Sequence, residues 1–70
     1  MLMTKNEMLY ELNRLMKRDW HHYMADRMTN AEKEEWRKEK AQFNALRENY
    51  KEMYGDLPNE IENWGFHIWG

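Results

Sequence analysis

No glycine and no proline occurs before Gly55, yet the stretch before it carries the same helix-starting pattern twice. TKNE begins at Thr4 and TNAE begins at Thr29. In each, a threonine hydroxyl can accept the backbone N–H of the third helical residue, and a glutamate there can reach back to the threonine N–H. Ala31 adds helix propensity just after the second cap. Two caps in a stretch without helix breakers predict two helices and a turn. One continuous helix through residue 29 is the competing reading.

The apolar spacing sets the extent of both elements. Leu9, Leu12, Met16, Trp20 and Tyr23 recur at intervals of three and four, with Met8 and Leu15 widening the stripe. This predicts a first helix over about residues 5–27. Trp36, Phe43, Leu46, Tyr50, Met53 and Tyr54 form the second stripe. It predicts a helix over about residues 30–54, capped by Gly55 and barred from continuing by Pro58.

A short turn makes the two helices antiparallel neighbours. With the reversal at residues 28–30, Leu9 is expected opposite Tyr50, Leu12 opposite Leu46, Met16 opposite Phe43, and Tyr23 opposite Trp36. Trp20 is also expected to face inward. A hairpin alone leaves an apolar seam. The segment 55–70 holds Leu57, Ile61, Trp64, Phe66, Ile68 and Trp69 to cover it. PNEIENW can form a short third helix from Pro58 to Gly65, and GFHIWG can run extended. The expected fold is therefore all-α: one domain, an antiparallel helical hairpin with a short C-terminal helix or extended tail packed on it. A dimeric four-helix arrangement is the alternative cover for the seam.

Composition narrows the function classes. A chain of 70 residues buries a modest core, and with no cysteine it has neither disulfides nor thiolate zinc to staple it. That leaves self-association or a partner as sources of added stability. The formal charge of −2 argues against phosphate-driven nucleic-acid binding. No run approaches the roughly 20 apolar residues of a membrane span, and MLMTKNEMLYEL does not read as a secretory leader. A cytoplasmic location is expected.

Polar residues on the stripes are the candidates for chemistry. Asp19 interrupts the first and Glu39 the second, and the register places them in one layer. His22 and Asp26 follow Asp19 at helical spacing, so Asp19, His22, Asp26 and Glu39 are the candidate metal ligands. They are few, because helix 2 has no histidine, whereas di-metal bundles repeat the acid–histidine pair. The alternative is a set of ion pairs, with Arg18 and Lys40 as cations and His22 as a further partner for Glu39. Arg14, Lys17, Arg18 and His21 form an outer basic face, the candidate nucleic-acid contact. There is no serine or cysteine for a triad nucleophile and no glycine-rich phosphate loop, so no catalytic set and no cofactor is expected. His67, between Phe66 and Ile68, is expected to be partly buried.

The remaining signal is a surplus of large apolar groups. Trp64, Phe66, Ile68, Trp69 and Tyr54 are the candidate protein-interface residues. The expected function is a non-catalytic protein-binding module that modulates a macromolecular partner, as a regulator or inhibitor, with homodimerisation as one form of the contact.

Overall fold

Both threonine–glutamate pairs close as reciprocal caps. Glu7 N–H donates to Thr4 Oγ1 at 3.2 Å while Thr4 N–H donates to Glu7 Oε1 at 2.9 Å. Glu32 N–H and Thr29 Oγ1 are 3.1 Å apart, and Thr29 N–H reaches Glu32 Oε1 at 3.3 Å. The computed structural model describes residues 3–68. Its helices are α1 (Lys5–Tyr23), α2 (Asn30–Met53) and α3 (Asn59–Glu62). The described residues form an all-α hairpin with a packed C-terminal segment and no strand.

α1 ends four residues before the expected position, at Tyr23 rather than residue 27. His21 and His22 occupy its last turn, where exposed carbonyls favour cations. Continuing would place Asp26 against that negative end. The chain must also leave helical geometry before Thr29, whose ψ of 166° belongs to the cap of α2. α2 stops at Met53, one residue short of expectation, with Tyr54 as its cap. Gly55 then takes a φ of 76°, the left-handed conformation foreseen for that position. α3 is shorter than expected: Pro58 precedes it as N-cap, and Asn63 rather than Gly65 ends it.

The core joins all three parts of the chain. Met8, Leu12, Leu15 and Met16 of α1 cluster with Phe43 and Tyr50 of α2 and with Leu57 and Ile61 of the tail. Leu9 and Leu46 pack against this cluster, as do Trp64 and Phe66. Three of the four expected layers thus have their residues in the core or against it. The fourth is corrected. Tyr23 and Trp20 are 52% and 51% exposed, and Trp36 instead stacks on His22, with ring centroids 5.5 Å apart. The buried line of α1 runs through Met8, Leu12, Leu15 and Asp19, rotated from the line ending at Trp20 and Tyr23.

The tail fills the seam within one chain. Phe66 lies on Phe43 with centroids 5.2 Å apart. Arg47 reaches across from α2 and donates through Nη1 to the carbonyls of Glu62 and Trp64, at 3.0 and 2.9 Å. A guanidinium here satisfies carbonyls that a helix terminus would leave free. Arg47 also lies over the Phe43 ring, 5.0 Å from its centroid, so one side chain locks α3 and the turn after it onto α2. Further along, Lys40 Nζ meets the Ile68 carbonyl at 3.5 Å.

At the opposite end, Asp56 fastens the start of α1 to the end of α2. It accepts from Lys5 Nζ at 2.5 Å and from the buried Tyr50 hydroxyl at 2.9 Å. The Lys5 contact, then the Tyr50 hydroxyl, hold the Asp56 carboxyl below its ordinary value. The native state therefore binds this proton more weakly than the unfolded chain. Stability from Asp56 is fully present above the ordinary carboxylate value of about 4, and is lost as pH falls through the lower native value. In urea unfolding, Asp56→Asn is expected to be less stable than the parent near neutrality, with the gap shrinking as the pH falls below about 4. A gap constant across that range would refute the role of this contact.

Candidate functional site

Asp19 is completely buried, an expensive place for a carboxylate. A carboxylate offers about four lone-pair positions, and here three N–H groups and the ring nitrogen Nδ1 of His67 converge on them. Oδ1 accepts Trp36 Nε1–H at 2.8 Å and the His67 backbone N–H at 2.9 Å. Oδ2 accepts Trp64 Nε1–H at 3.1 Å and lies 2.6 Å from His67 Nδ1. The indole N–H groups are donors only, and the backbone N–H can only donate. Three donors therefore bind the carboxylate outright, and the short Asp19 Oδ2–His67 Nδ1 contact completes the set. The site thus ties α1, α2 and the tail to one side chain.

The sequence grouped Asp19 with His22 because both lie on one helix three residues apart. The structure pairs Asp19 with His67, 48 residues away. It was not Arg18 or Lys40 that neutralised Asp19. The available signal was the conjunction of a stripe-interrupting acid with tryptophans, since a buried acid needs donors and an indole has nothing else to offer.

Glu39 fares differently. It is 6% exposed, and its Oε1 accepts Arg18 Nε–H at 2.5 Å, Arg18 being one of the two cations expected to pair with the stripe acids. Arg18 also meets Glu35 at 3.5 Å. Glu39 Oε2 is buried without a hydrogen bond, and the nearest imidazole nitrogen, His22 Nε2, stands 3.8 Å away. The expected Glu39–His22 proximity is present, at a separation beyond a hydrogen bond.

The four candidate metal ligands do not converge. Asp19 is saturated by its donors, Asp26 lies exposed beyond the end of α1, and His22 and Glu39 form a separate pair. Among the described residues no group of three or more His, Asp or Glu is arranged to hold a metal ion. The basic face is partly neutralised from within: Arg14 pairs with Glu11 and Arg18 with Glu39 and Glu35. Lys17 and His21 are exposed and make no ion pair among the described residues. No helix among them is long and apolar enough to cross a membrane.

The tail candidates become walls of two clefts. Trp64 joins Asn13, Met16, Lys17, Trp20, His21 and Glu60 around a cleft of about 350 Å³. Phe66 and Ile68 join Tyr23, Lys40 and His67 around another of about 400 Å³. Tyr54 is 39% exposed at the far end, and Trp69 lies outside the described residues. Large exposed apolar groups gather instead where α1 ends, at Trp20, Tyr23 and Met24. No protein-family model matches this sequence, and no match was found among curated proteins or solved structures.

Replacing Asp19 tests the convergence directly. Asp19→Asn keeps the volume but turns an amide donor toward groups that are themselves donors. It is expected to cost about 3 kcal/mol in urea unfolding and to release the tail, since removing one partner strands the others. Rapid amide exchange at His67 in an otherwise folded variant would report that release. Undiminished stability and protection would show that the four bonds do not hold the tail.

Proposed function

We propose that this chain is a small protein-binding module that modulates a macromolecular partner, and that its contact face lies at the end of α1. The observation that carries this reading is the exposure of three large side chains close together in sequence: Trp20 at 51%, Tyr23 at 52% and Met24 at 61%. A protein this small gains most by burying such groups, and its own tail covers them only in part, through the His67 ring beside Trp20 and Tyr23. Trp20 rests edge-on against the His67 ring at 5.9 Å and lies 5.8 Å from the Tyr23 ring. The indole is therefore held in place before any partner arrives, which lowers the ordering cost of binding. Met24 adds an adaptable thioether beside these rigid rings.

The cleft between Trp20 and Trp64 gives the face relief, and Lys17, His21 and Glu60 along it offer polar contacts around an apolar anchor. The tail residues support this face from behind: Trp64 lines the cleft, while Phe66 and Ile68 line its neighbour. A second copy of the chain is one form of such a partner.

The test is a paired comparison. Trp20→Ser combined with Met24→Ser removes apolar surface without opening the core, so the melting temperature is expected to change little. Recovery of the native partner from source cells is expected to fall about tenfold or more, the effect of losing a hot spot of about 2 kcal/mol. Sedimentation of both chains distinguishes a second copy from a different protein. Equal partner recovery and equal mass for the two chains would reject this contact face.

A further inference from the structure

The contacts around Asp19 also bear on which nitrogen of His67 remains for chemistry. His67 Nδ1 lies 2.6 Å from Oδ2, and a proton on Nδ1 in that contact leaves Nε2 with the free lone pair of the neutral ring. Only a third of the His67 side chain is exposed, and the ring is held on several sides. Tyr23 lies 4.5 Å away by ring centroids, and Trp64 and Trp20 meet it edge-on at 5.7 and 5.9 Å. The backbone is fixed too, because the His67 N–H is bound to the same carboxylate. An imidazole so constrained has its tautomer and orientation set in advance, the role a buried carboxylate plays behind a reactive histidine.

The ring opens on the cleft of about 400 Å³ lined by Tyr23, Lys40, Phe66 and Ile68. That volume admits a small organic molecule. Tyr23, Phe66 and Ile68 offer it apolar walls, and Lys40, whose Nζ lies 3.5 Å from the Ile68 carbonyl, is the cationic side chain of the lining. We propose that this cleft is an acyl-transfer site in which His67 Nε2 is the nucleophile toward small esters with a good leaving group, and Asp19 is its positioning residue. The inference stands on different observations from the partner-binding face and does not require it.

The step balances within the site and solvent. The Nε2 lone pair adds to the ester carbonyl, and the Lys40 charge favours the oxyanion that forms. Collapse breaks the bond to the leaving alkoxide or phenolate and leaves an acyl-imidazolium whose Nδ1–H is still held by Asp19. Water then adds to the acyl carbon, the C–N bond breaks, and the carboxylic acid leaves with its proton passing to solvent. His67 returns to its starting form. No oxidant, metal or further reactant is consumed.

The test uses the full chain and p-nitrophenyl acetate at mildly alkaline pH. His67→Asn places a carboxamide N–H toward Asp19 and deletes the nucleophilic nitrogen. The rate of p-nitrophenolate release is expected to fall about tenfold or more in this variant, and to stay within about twofold of the parent when the exposed Lys33 is changed in Lys33→Gln. An unchanged rate in a folded His67→Asn variant, or the same loss in Lys33→Gln, would overturn the proposal. Two measurements on the unsubstituted chain keep the test independent of variant folding. Diethyl pyrocarbonate is expected to modify His67 before the exposed His21, as read by peptide mass, and the reverse order would count against it. In ¹⁵N spectra of the neutral ring, His67 is expected to carry its proton on Nδ1, and a proton on Nε2 would remove the role given to Asp19.

Discussion

A carboxylate without water survives inside a protein only when its lone pairs are met, and Asp19 meets that condition by drawing on every part of the chain. Trp36 comes from α2, and Trp64 and His67 come from the tail. Each of those groups would have to find another partner if Asp19 were lost. The energetic weight of the arrangement lies in that mutual dependence. The net gain over an apolar core of similar shape is small, because desolvation offsets much of the attraction, but the cost of removing one member is large. Such a site specifies where the tail goes more than it raises total stability.

The molecule is held at two ends by acids of different character. Asp56 joins the beginning of α1 to the segment after α2 through Lys5 and Tyr50, in contact with solvent on its charged side. Asp19 does its work in the interior. Between them the apolar cluster from Met8 to Ile61 fills the hairpin, and Arg47 closes the carbonyl end of α3. The tail is therefore an integral third layer. Its contacts mix hydrogen bonds, through Asp56, Arg47, Asp19 and Lys40, with apolar packing, which makes its placement specific as well as sticky. Rigid placement of Trp64, Phe66 and His67 in turn creates the two clefts on which the functional proposals rest.

Much of the hairpin was legible because its signals are local. Thr4, Glu7, Thr29 and Glu32 define helix starts through bonds spanning three residues, and Gly55 marks a stop through its own backbone freedom. The apolar spacing correctly assembled Leu12, Met16, Phe43 and Tyr50. It misjudged the last turn of α1, where Trp20 and Tyr23 were assigned inward and Asp19 to an edge. Hydrophobicity alone cannot make that choice, because rotating the helix by a fraction of a turn exchanges the groups. The rotation was decided by donors from distant residues. The same limitation put His22 beside Asp19: a period of three or four identifies neighbours on one helix, but it says nothing of a histidine 48 residues away.

The sequence by itself determined two capped helices, the stop at Gly55, the apolar material for a shared core and the lack of any cysteine chemistry. Those follow from backbone preferences and from side-chain type, which act over a few residues. Only the tertiary structure decided that Asp19 points inward, that Trp64 and His67 close over it, and that Trp20, Tyr23 and Met24 remain outside. The reason is physical: satisfying a buried charge is a requirement on three-dimensional neighbours, and those neighbours come from three separate stretches of chain.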